Sequence, residues 1–457
     1  MNIILNFLFI VVLTVSLSAQ TSDSLALPQT KQLLQFLQSL SGRTEKRLIS
    51  GHQLNLSHPS ASAYDSVVSP IFIKTGKYPG LVGVEYQRSA KGMMSSMAGS
   101  NSALYRHVRA GGIAAVMSSF TNPWTDSTSN DTTGRHRIAE LLQPGTTANI
   151  KWMQRLDSVA RGLQLLQDSG ITVLYRPLHE MNATWFWWGS QSSQFPTKQV
   201  YSSLWIQMHN YFTNIKKLHN ILWVYSPSAR LSSMVSPAFR HDTAFYPGSD
   251  VVDIVGVDVY EDTLDIPSYQ SLLSYGKPMV LCEFGPSISS VDTAFQYDYR
   301  TMLQQIKNKY PKIVYWMSWN DFSTSKGARF YGMTNQNHVA ELLSDPWVIH
   351  LSDLTSMMTT AVQSPELRAP LRHAVVRNYP NPFNPVTTIH YTLPDAGAVS
   401  LTVYDGIGRI VSRTVNTYQA EGTYAVQFDA SSLASGVYIT ELQCGASVEY
   451  ARMMLIK

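Results

Sequence analysis

Eight short runs rich in Val, Ile and Leu, set among longer stretches with helical periodicity, most limit what this chain folds into. The runs fall at 47–50, 81–86, 113–118, 171–176, 221–225, 253–258, 278–283 and 313–319. Helix-like stretches lie beside them at 30–40, 150–167, 198–218 and 292–309. In the second of these, Ile150, Met153, Val159, Leu163 and Leu166 recur at three- and four-residue spacings or their sums, which predicts one buried helix face. Strands separated by helices imply a parallel sheet, because a crossover helix returns the chain to the same end of the sheet. Eight such units in roughly 340 residues predict an α/β fold closed into a (β/α)8 TIM barrel rather than an open sheet.

A barrel concentrates chemistry at the C-terminal ends of its strands. The fourth run ends in Arg176-Pro177-Leu178-His179-Glu180-Met181-Asn182, followed by Trp185-Phe186-Trp187-Trp188-Gly189. The seventh ends in Cys282-Glu283-Phe284-Gly285. Strands four and seven are three apart in a ring of eight, so Glu180 and Glu283 are expected to face each other across the mouth. Two rim carboxylates suit glycoside cleavage: one, protonated, donates to the leaving oxygen, and the other, ionised, attacks the anomeric carbon.

The strand-four stretch resembles the acid/base motif of glycoside hydrolase family 26, best known for β-mannanases, and the segment around Glu283 resembles that family's nucleophile segment. Ser50-Gly51-His52-Gln53 is similar to an early motif of the family, Asp258-Val259-Tyr260 to its strand-six segment, and Trp316 and Trp319 to its strand-eight platform. The similarity spans roughly residues 45 to 345. It implies retaining hydrolysis of internal β-1,4-mannosidic bonds in mannan, glucomannan or galactomannan, with Glu180 as acid/base and Glu283 as nucleophile. His179, Asn182, Trp185, Tyr260 and Trp319 are then expected to bind substrate. Arg176 and Asp258 are expected to support the site, and no metal or other cofactor is called for. Trp316 is expected in the core with about half of the tryptophan cluster. The chain departs from the family at two places. Ser118-Ser119-Phe120-Thr121 stand before Asn122-Pro123 where many members carry Trp-His, and Asn320 follows Trp319 where an Arg is common. Both differences touch sugar contacts, and they keep β-1,3-1,4-glucanase and β-1,3-xylanase activity as alternatives. A polysaccharide-binding barrel without activity is the third reading, and the presence of both glutamates argues against it.

The ends of the chain carry other signals. The apolar run within residues 1–19, followed by Ser16, Ser18 and Ala19, reads as a signal peptide, although no Lys or Arg precedes it. The catalytic domain is expected at 20–361, a linker at 362–377, and an all-β sandwich at 378–457 with strands at 386–393, 399–404, 409–415, 423–429, 437–442 and 450–456. Asn378-Tyr379-Pro380-Asn381-Pro382-Phe383-Asn384-Pro385 and Leu433-Ala434-Ser435-Gly436-Val437-Tyr438 resemble the C-terminal sorting domain of the type IX secretion system. That resemblance implies a partner in the secretion machinery, a Gram-negative source, and a secreted or surface-held product. The segment has no Trp, which argues against a carbohydrate-binding sandwich. A net charge of +4 without a Lys/Arg block excludes nucleic acid as a natural partner. The chain is expected to act as a monomer. Cys282 and Cys444 fall in different domains and are expected as buried thiols rather than a disulfide.

Overall fold

The computed structural model describes residues 20–54, 64–86, 93–190, 198–229, 241–324, 327–361, 375–393, 396–406, 408–444 and 447–457. The expected signal peptide lies outside these residues. So does the expected linker up to residue 374. The chain divides into two compact units, residues 1–361 and 362–457.

The first unit is the expected barrel. Its strands are β1 (Leu48–Gln53), β2 (Leu81–Tyr86), β3 (Ile113–Ser118), β4 (Val173–Pro177), β5 (Ile221–Tyr225), β6 (Ile254–Tyr260), β7 (Met279–Gly285) and β8 (Ile313–Ser318). Each pairs in parallel with the next, and β1 pairs in parallel with β8, which closes the ring. A hairpin follows β8, formed by β9 (Phe322–Thr324) and β10 (Gly327–Arg329). A short β11 (Val348–Ile349) lies beside β1. The helices are α1 (Pro28–Leu40), α2 (Ser69–Thr75), α3 (Met93–Arg109), α4 (Thr147–Asp168), α5 (Lys198–Asn210), α6 (Tyr269–Leu273), α7 (Tyr299–Lys309), α8 (Val339–Ser344) and α9 (Leu351–Ala361).

Alternation along the strands sorts their side chains into two layers. Val82, Val116, Tyr175, Trp223, Val257 and Leu281 pack outward in one core with Trp152, Leu156, Val159 and Leu163 of α4. Ile49, Leu81, Ile113, Leu174, Leu222, Ile254, Val280 and Val314 form a second core with Leu33, Leu34, Phe36, Leu37 and Leu40 of α1. These strand residues sit near the N-terminal strand ends, so α1 plugs that end and leaves the C-terminal mouth for chemistry. The segment before α1 is also tied in. Ser22 donates from its amide at 2.6 Å and its hydroxyl at 2.9 Å to buried Asp253, which also accepts from the Trp223 amide.

Two helix expectations shift. The buried face of α4 runs through Trp152, Leu156, Val159, Leu163 and Leu166, with four- and three-residue steps. Ile150, two residues from Trp152, falls on the opposite side and is half exposed. The helix expected from Asp292 begins at Tyr299, because the Asp298 carboxylate caps it at the Arg300 amide and Phe295 has a left-handed φ of 65°.

The second unit consists of two antiparallel sheets, β12 (Val375–Tyr379), β13 (Val386–Leu393) and β16 (Gly422–Asp429) in one, and β14 (Gly397–Tyr404), β15 (Ile410–Gln419), β17 (Gly436–Cys444) and β18 (Ser447–Leu455) in the other. Six strands were expected from sequence. The seventh, β12, starts inside the expected linker, where Val375 to Tyr379 pair in register with Thr392 to Thr388. The unit has its own core of Phe383, Ile389, Leu401, Val403, Leu442 and Met453. Cys282 and Cys444 are both buried and form no disulfide with each other. Among the described residues no helix is long and apolar enough to cross a membrane.

Candidate active site

The backbone that carries Glu180 is strained. Leu178 has φ 45° and Glu180 φ 52°, the left-handed region that residues with a Cβ rarely adopt. Hydrogen bonds hold it there. The Glu180 amide donates to the Ser226 carbonyl at 2.8 Å, and the Tyr201 hydroxyl donates to the Leu178 carbonyl at 3.0 Å. Asn182 is fully buried, donating from Nδ2 to the Ser228 carbonyl at 2.7 Å and accepting from the Ser228 amide at 2.9 Å. The sequence expectation for Asn182 was a substrate contact, and its amide instead staples this loop to the segment after β5.

Glu283 reaches the mouth through a β-bulge. Along the β6–β7 pair, Val257 opposes Leu281 but Asp258 opposes Glu283, so Cys282 is an extra residue. Leu281 packs outward while Val280 and Cys282 pack inward. Regular alternation would send Glu283 outward with Leu281. The extra residue turns it inward, the re-aiming that bulges provide beside functional sites.

Inside the mouth, Arg176 on β4 joins two carboxylates. Its Nη1 donates to Asp258 at 2.8 Å and its Nη2 donates to Glu283. The Tyr260 hydroxyl donates to the other oxygen of Glu283 at 2.5 Å. The Ser226 hydroxyl donates to Asp258 at 2.6 Å. On the opposite wall, the Trp185 indole donates to Glu180 Oε2 at 2.6 Å. Glu180 is 8% exposed, Glu283 3% and Asp258 0%. One oxygen from each of the three lies within 4.8 Å of the others. Such a trio has the spacing to hold a cation, but the Arg176 guanidinium already supplies positive charge to two of its members.

The two glutamates are not equivalent. Burial raises the Glu180 carboxyl and the Glu283 charge adds to the effect, against smaller opposing pulls from Trp185 and Arg176; the outcome is about 8. Glu283 has a guanidinium and a phenol on its two oxygens, whereas among the described residues Glu180 has an indole on one. At neutral pH Glu180 therefore retains its proton beside a clamped carboxylate.

The surrounding side chains divide between core and cleft. Trp187, Trp188 and Trp316 are fully buried, with Trp187 donating to the Phe120 carbonyl at 2.8 Å and Trp188 to the His179 carbonyl at 2.7 Å. Trp185 is half-buried. His179 is 3% exposed and its ring packs edge-on against Phe186 at 4.9 Å. Trp319 clusters with Met117, Val291 and Tyr331, beside Tyr260. His52 is buried, with Nδ1 near the Gln53 carbonyl at 2.7 Å, and burial lowers it to about 4, so it is neutral at ordinary pH. Sequence reasoning missed Ser226 and Ser228. The signal was a polar Ser226-Pro227-Ser228 directly after a buried strand, the same context that singled out Glu180.

A carboxyl group that keeps its proton, facing a second carboxyl group held by a guanidinium and a phenol across the mouth of an eight-stranded barrel, is the equipment of a glycoside hydrolase. Residues 22–353 match Glycosyl hydrolase family 26, and the chain belongs to that family. Residues 377–457 match the Secretion system C-terminal sorting domain. The mannan endo-1,4-beta-mannosidase of Bacillus subtilis (strain 168) is 32% identical over 337 residues, which cover 71% of this chain and 86% of that enzyme. The mannan endo-1,4-beta-mannosidase A and B of Caldalkalibacillus mannanilyticus is 32% identical over 361 residues, 76% of this chain and 66% of that longer protein. Among solved structures, the Bacillus subtilis mannanase BCman superposes with a TM-score of 0.64 at 29% identity, covering 73% of this chain and 95% of its own.

Proposed function

We propose that this chain is a secreted, retaining endo-β-1,4-mannanase. Glu283 attacks the anomeric carbon while Glu180 protonates the leaving oxygen. Glu180 then removes a proton from the water that releases the glycosyl-enzyme. The observation that carries the mechanism is the carboxylate spacing. Retaining enzymes hold their two carboxyl groups about 5–5.5 Å apart, and inverting ones leave about 6.5–9.5 Å for a water. Oxygens of Glu180 and Glu283 within 4.8 Å of each other favour the retaining geometry. Tyr260 and Arg176 orient Glu283, Asp258 holds Arg176 and is itself held by Ser226, and Trp185 and Trp319 offer ring faces to sugar. Mannan as the substrate is supported by the enzymes named above. Initial rates on mannan, glucomannan, galactomannan, mixed-linkage β-glucan and β-1,3-xylan test it. The mannans should lead, and faster cleavage of either of the last two would replace the substrate assignment.

The pH dependence follows from Glu180. The acid works only while protonated, so kcat/KM should hold through neutral pH and fall as pH rises through about 8. In Glu283→Gln the neighbouring charge is gone, so the Glu180 carboxyl should titrate lower, as carboxyl-resolved NMR or infrared difference spectra would read. An unchanged Glu180 titration would mean the two groups do not sense each other.

The C-terminal unit is proposed as the address for the type IX secretion machinery, which would complete the export from a Gram-negative cell that the expected signal peptide begins. Each unit has its own core, so purified protein ending at Ala361 should keep its activity on mannan. In the native host the same truncation should leave the enzyme inside the cell, as activity in washed cells against medium would read.

A further inference from the structure

We propose that Arg135, on the loop after β3, is a positioning residue for the acid/base: it fixes the backbone beside Trp185 so that the indole stays on Glu180. The inference deepens the glycosidase reading above and rests on it for the role of Glu180. Trp185 is only half-buried, yet its indole donates to Glu180 Oε2 at 2.6 Å. A ring so open to water keeps that distance only if its backbone is held. The loop after β3 holds it. Arg135 Nη1 donates to the Thr184 carbonyl at 2.7 Å, and Asn130 Nδ2 donates to the Trp185 carbonyl at 3.3 Å. Two residues on, the Trp187 amide donates to the Ser129 carbonyl at 3.1 Å, and the Trp187 indole bonds the Phe120 carbonyl of the same loop.

The loop that supplies these contacts is itself rigid. The buried Asn122 side chain donates to the Asp131 and Thr133 carbonyls at 2.6 and 2.8 Å and accepts from the Trp124 amide at 2.7 Å. Arg155 of α4 donates to the Thr121 carbonyl at 2.9 Å and to the Asn122 carbonyl at 3.0 Å. Gly134, directly before Arg135, has a left-handed φ of 78°, and a Cβ there would meet the Trp124 ring at 2.7 Å. Glycine alone suits that corner, from which Arg135 leaves the loop. Arg135 is partly buried, and among the described residues its side chain meets the Thr184 carbonyl and no carboxylate. A guanidinium donating to a carbonyl makes a charge-assisted hydrogen bond, stronger than a neutral one.

The consequence is chemical. The Trp185 bond favours the ionised form of Glu180, against burial and the Glu283 charge. Glu180 must release its proton in the first step and take one up in the second, so the bond keeps it from becoming too weak an acid. Among the described residues, the charged and titratable groups that bear on Glu180 are Arg176 on β4, Asp258 and Tyr260 on β6, and Glu283 on β7. Arg135 reaches it through the indole.

The test compares wild type, Arg135→Ala, Arg135→Lys, Trp185→Phe and the double variant Arg135→Ala/Trp185→Phe. Glu180 is titrated directly by carboxyl-resolved NMR, and kcat/KM is followed against pH on whichever polysaccharide wild type cleaves fastest. In Arg135→Ala the Glu180 titration and the alkaline limb should rise together from about 8 toward about 9, while kcat at the optimum falls about two- to fivefold. Arg135→Lys keeps a charged donor and should recover most of both. Asn130→Ala, at an exposed position, should move the titration the same way by less. Trp185→Phe should give the full rise, and adding Arg135→Ala to it should give no more. A Glu180 titration that stays in place in Arg135→Ala, even with a higher KM, would overturn the proposal, because Arg135 would then be at most a sugar contact. So would an undiminished further rise in the Trp185→Phe background, which would mean that Arg135 acts without the indole. If the wild-type alkaline limb does not follow the Glu180 titration, the acid/base reading fails, and the titrations alone still decide whether Arg135 holds the indole in place.

Discussion

Replacing Glu283 by Ala should abolish turnover of polysaccharide and of activated aryl glycosides alike. Among the described residues the third carboxyl group beside the two glutamates, Asp258, is fully buried and engaged by Arg176 and Ser226, so it is not free to attack the anomeric carbon in place of Glu283. Loss of a covalent nucleophile typically costs roughly 10⁴–10⁶ in kcat, and a better leaving group does not compensate. The variant should still fold, because Arg176 keeps its bond to Asp258 and Tyr260 stays packed against Tyr331. Steady-state rates on both substrate types, beside a thermal melt, check this. Comparable mild losses on the two substrates would mean that Glu283 is not the nucleophile.

Replacing Glu180 by Ala should have a split effect. A general acid contributes about 10²–10⁴ when the leaving group needs a proton. Polysaccharide hydrolysis should fall by that order, whereas the first step on a dinitrophenyl glycoside should be nearly normal. The second step still lacks its base, so a glycosyl-enzyme should accumulate and give a burst. Azide needs no base, so it should restore turnover and yield the β-glycosyl azide. Removing Glu180 also deletes the partner of the Trp185 indole, which should loosen that wall and raise KM modestly. A variant that loses both substrate types equally and ignores azide would contradict the acid/base role.

The barrel was legible because its eight strands are almost wholly buried and read as unbroken apolar runs. Their starts were legible to within a few residues, but the C-terminal ends of β1, β6 and β7 were placed short. There the side chains turn polar, as Asp258 and Glu283 do, for reasons of the site rather than the sheet. The bulge at Cys282 could not be seen at all, because one extra residue leaves no mark on composition. The meeting of the two glutamates at the mouth was readable from their strand-end context, and their inequality was not, since it comes from burial and from which donors fold against each oxygen. Asn182 shows what context alone hides. A polar residue beside a functional one invites a substrate role, while its two amide bonds to Ser228 appear only when β4 and β5 are brought together. The α4 face was misplaced by Ile150, since spacing alone does not say on which side of the helix the barrel lies.

The reaction proposed for this chain is double displacement at Glu283 on a β-mannan. Hydrolysis of unbranched β-1,4-mannan followed by proton NMR from the first moments of reaction tests it most directly. The new reducing ends should appear first as the β-anomer, with the α-anomer growing in later by mutarotation. First appearance of the α-anomer would mean a single displacement by water, and neither the close spacing of Glu180 and Glu283 nor the roles given to them would stand.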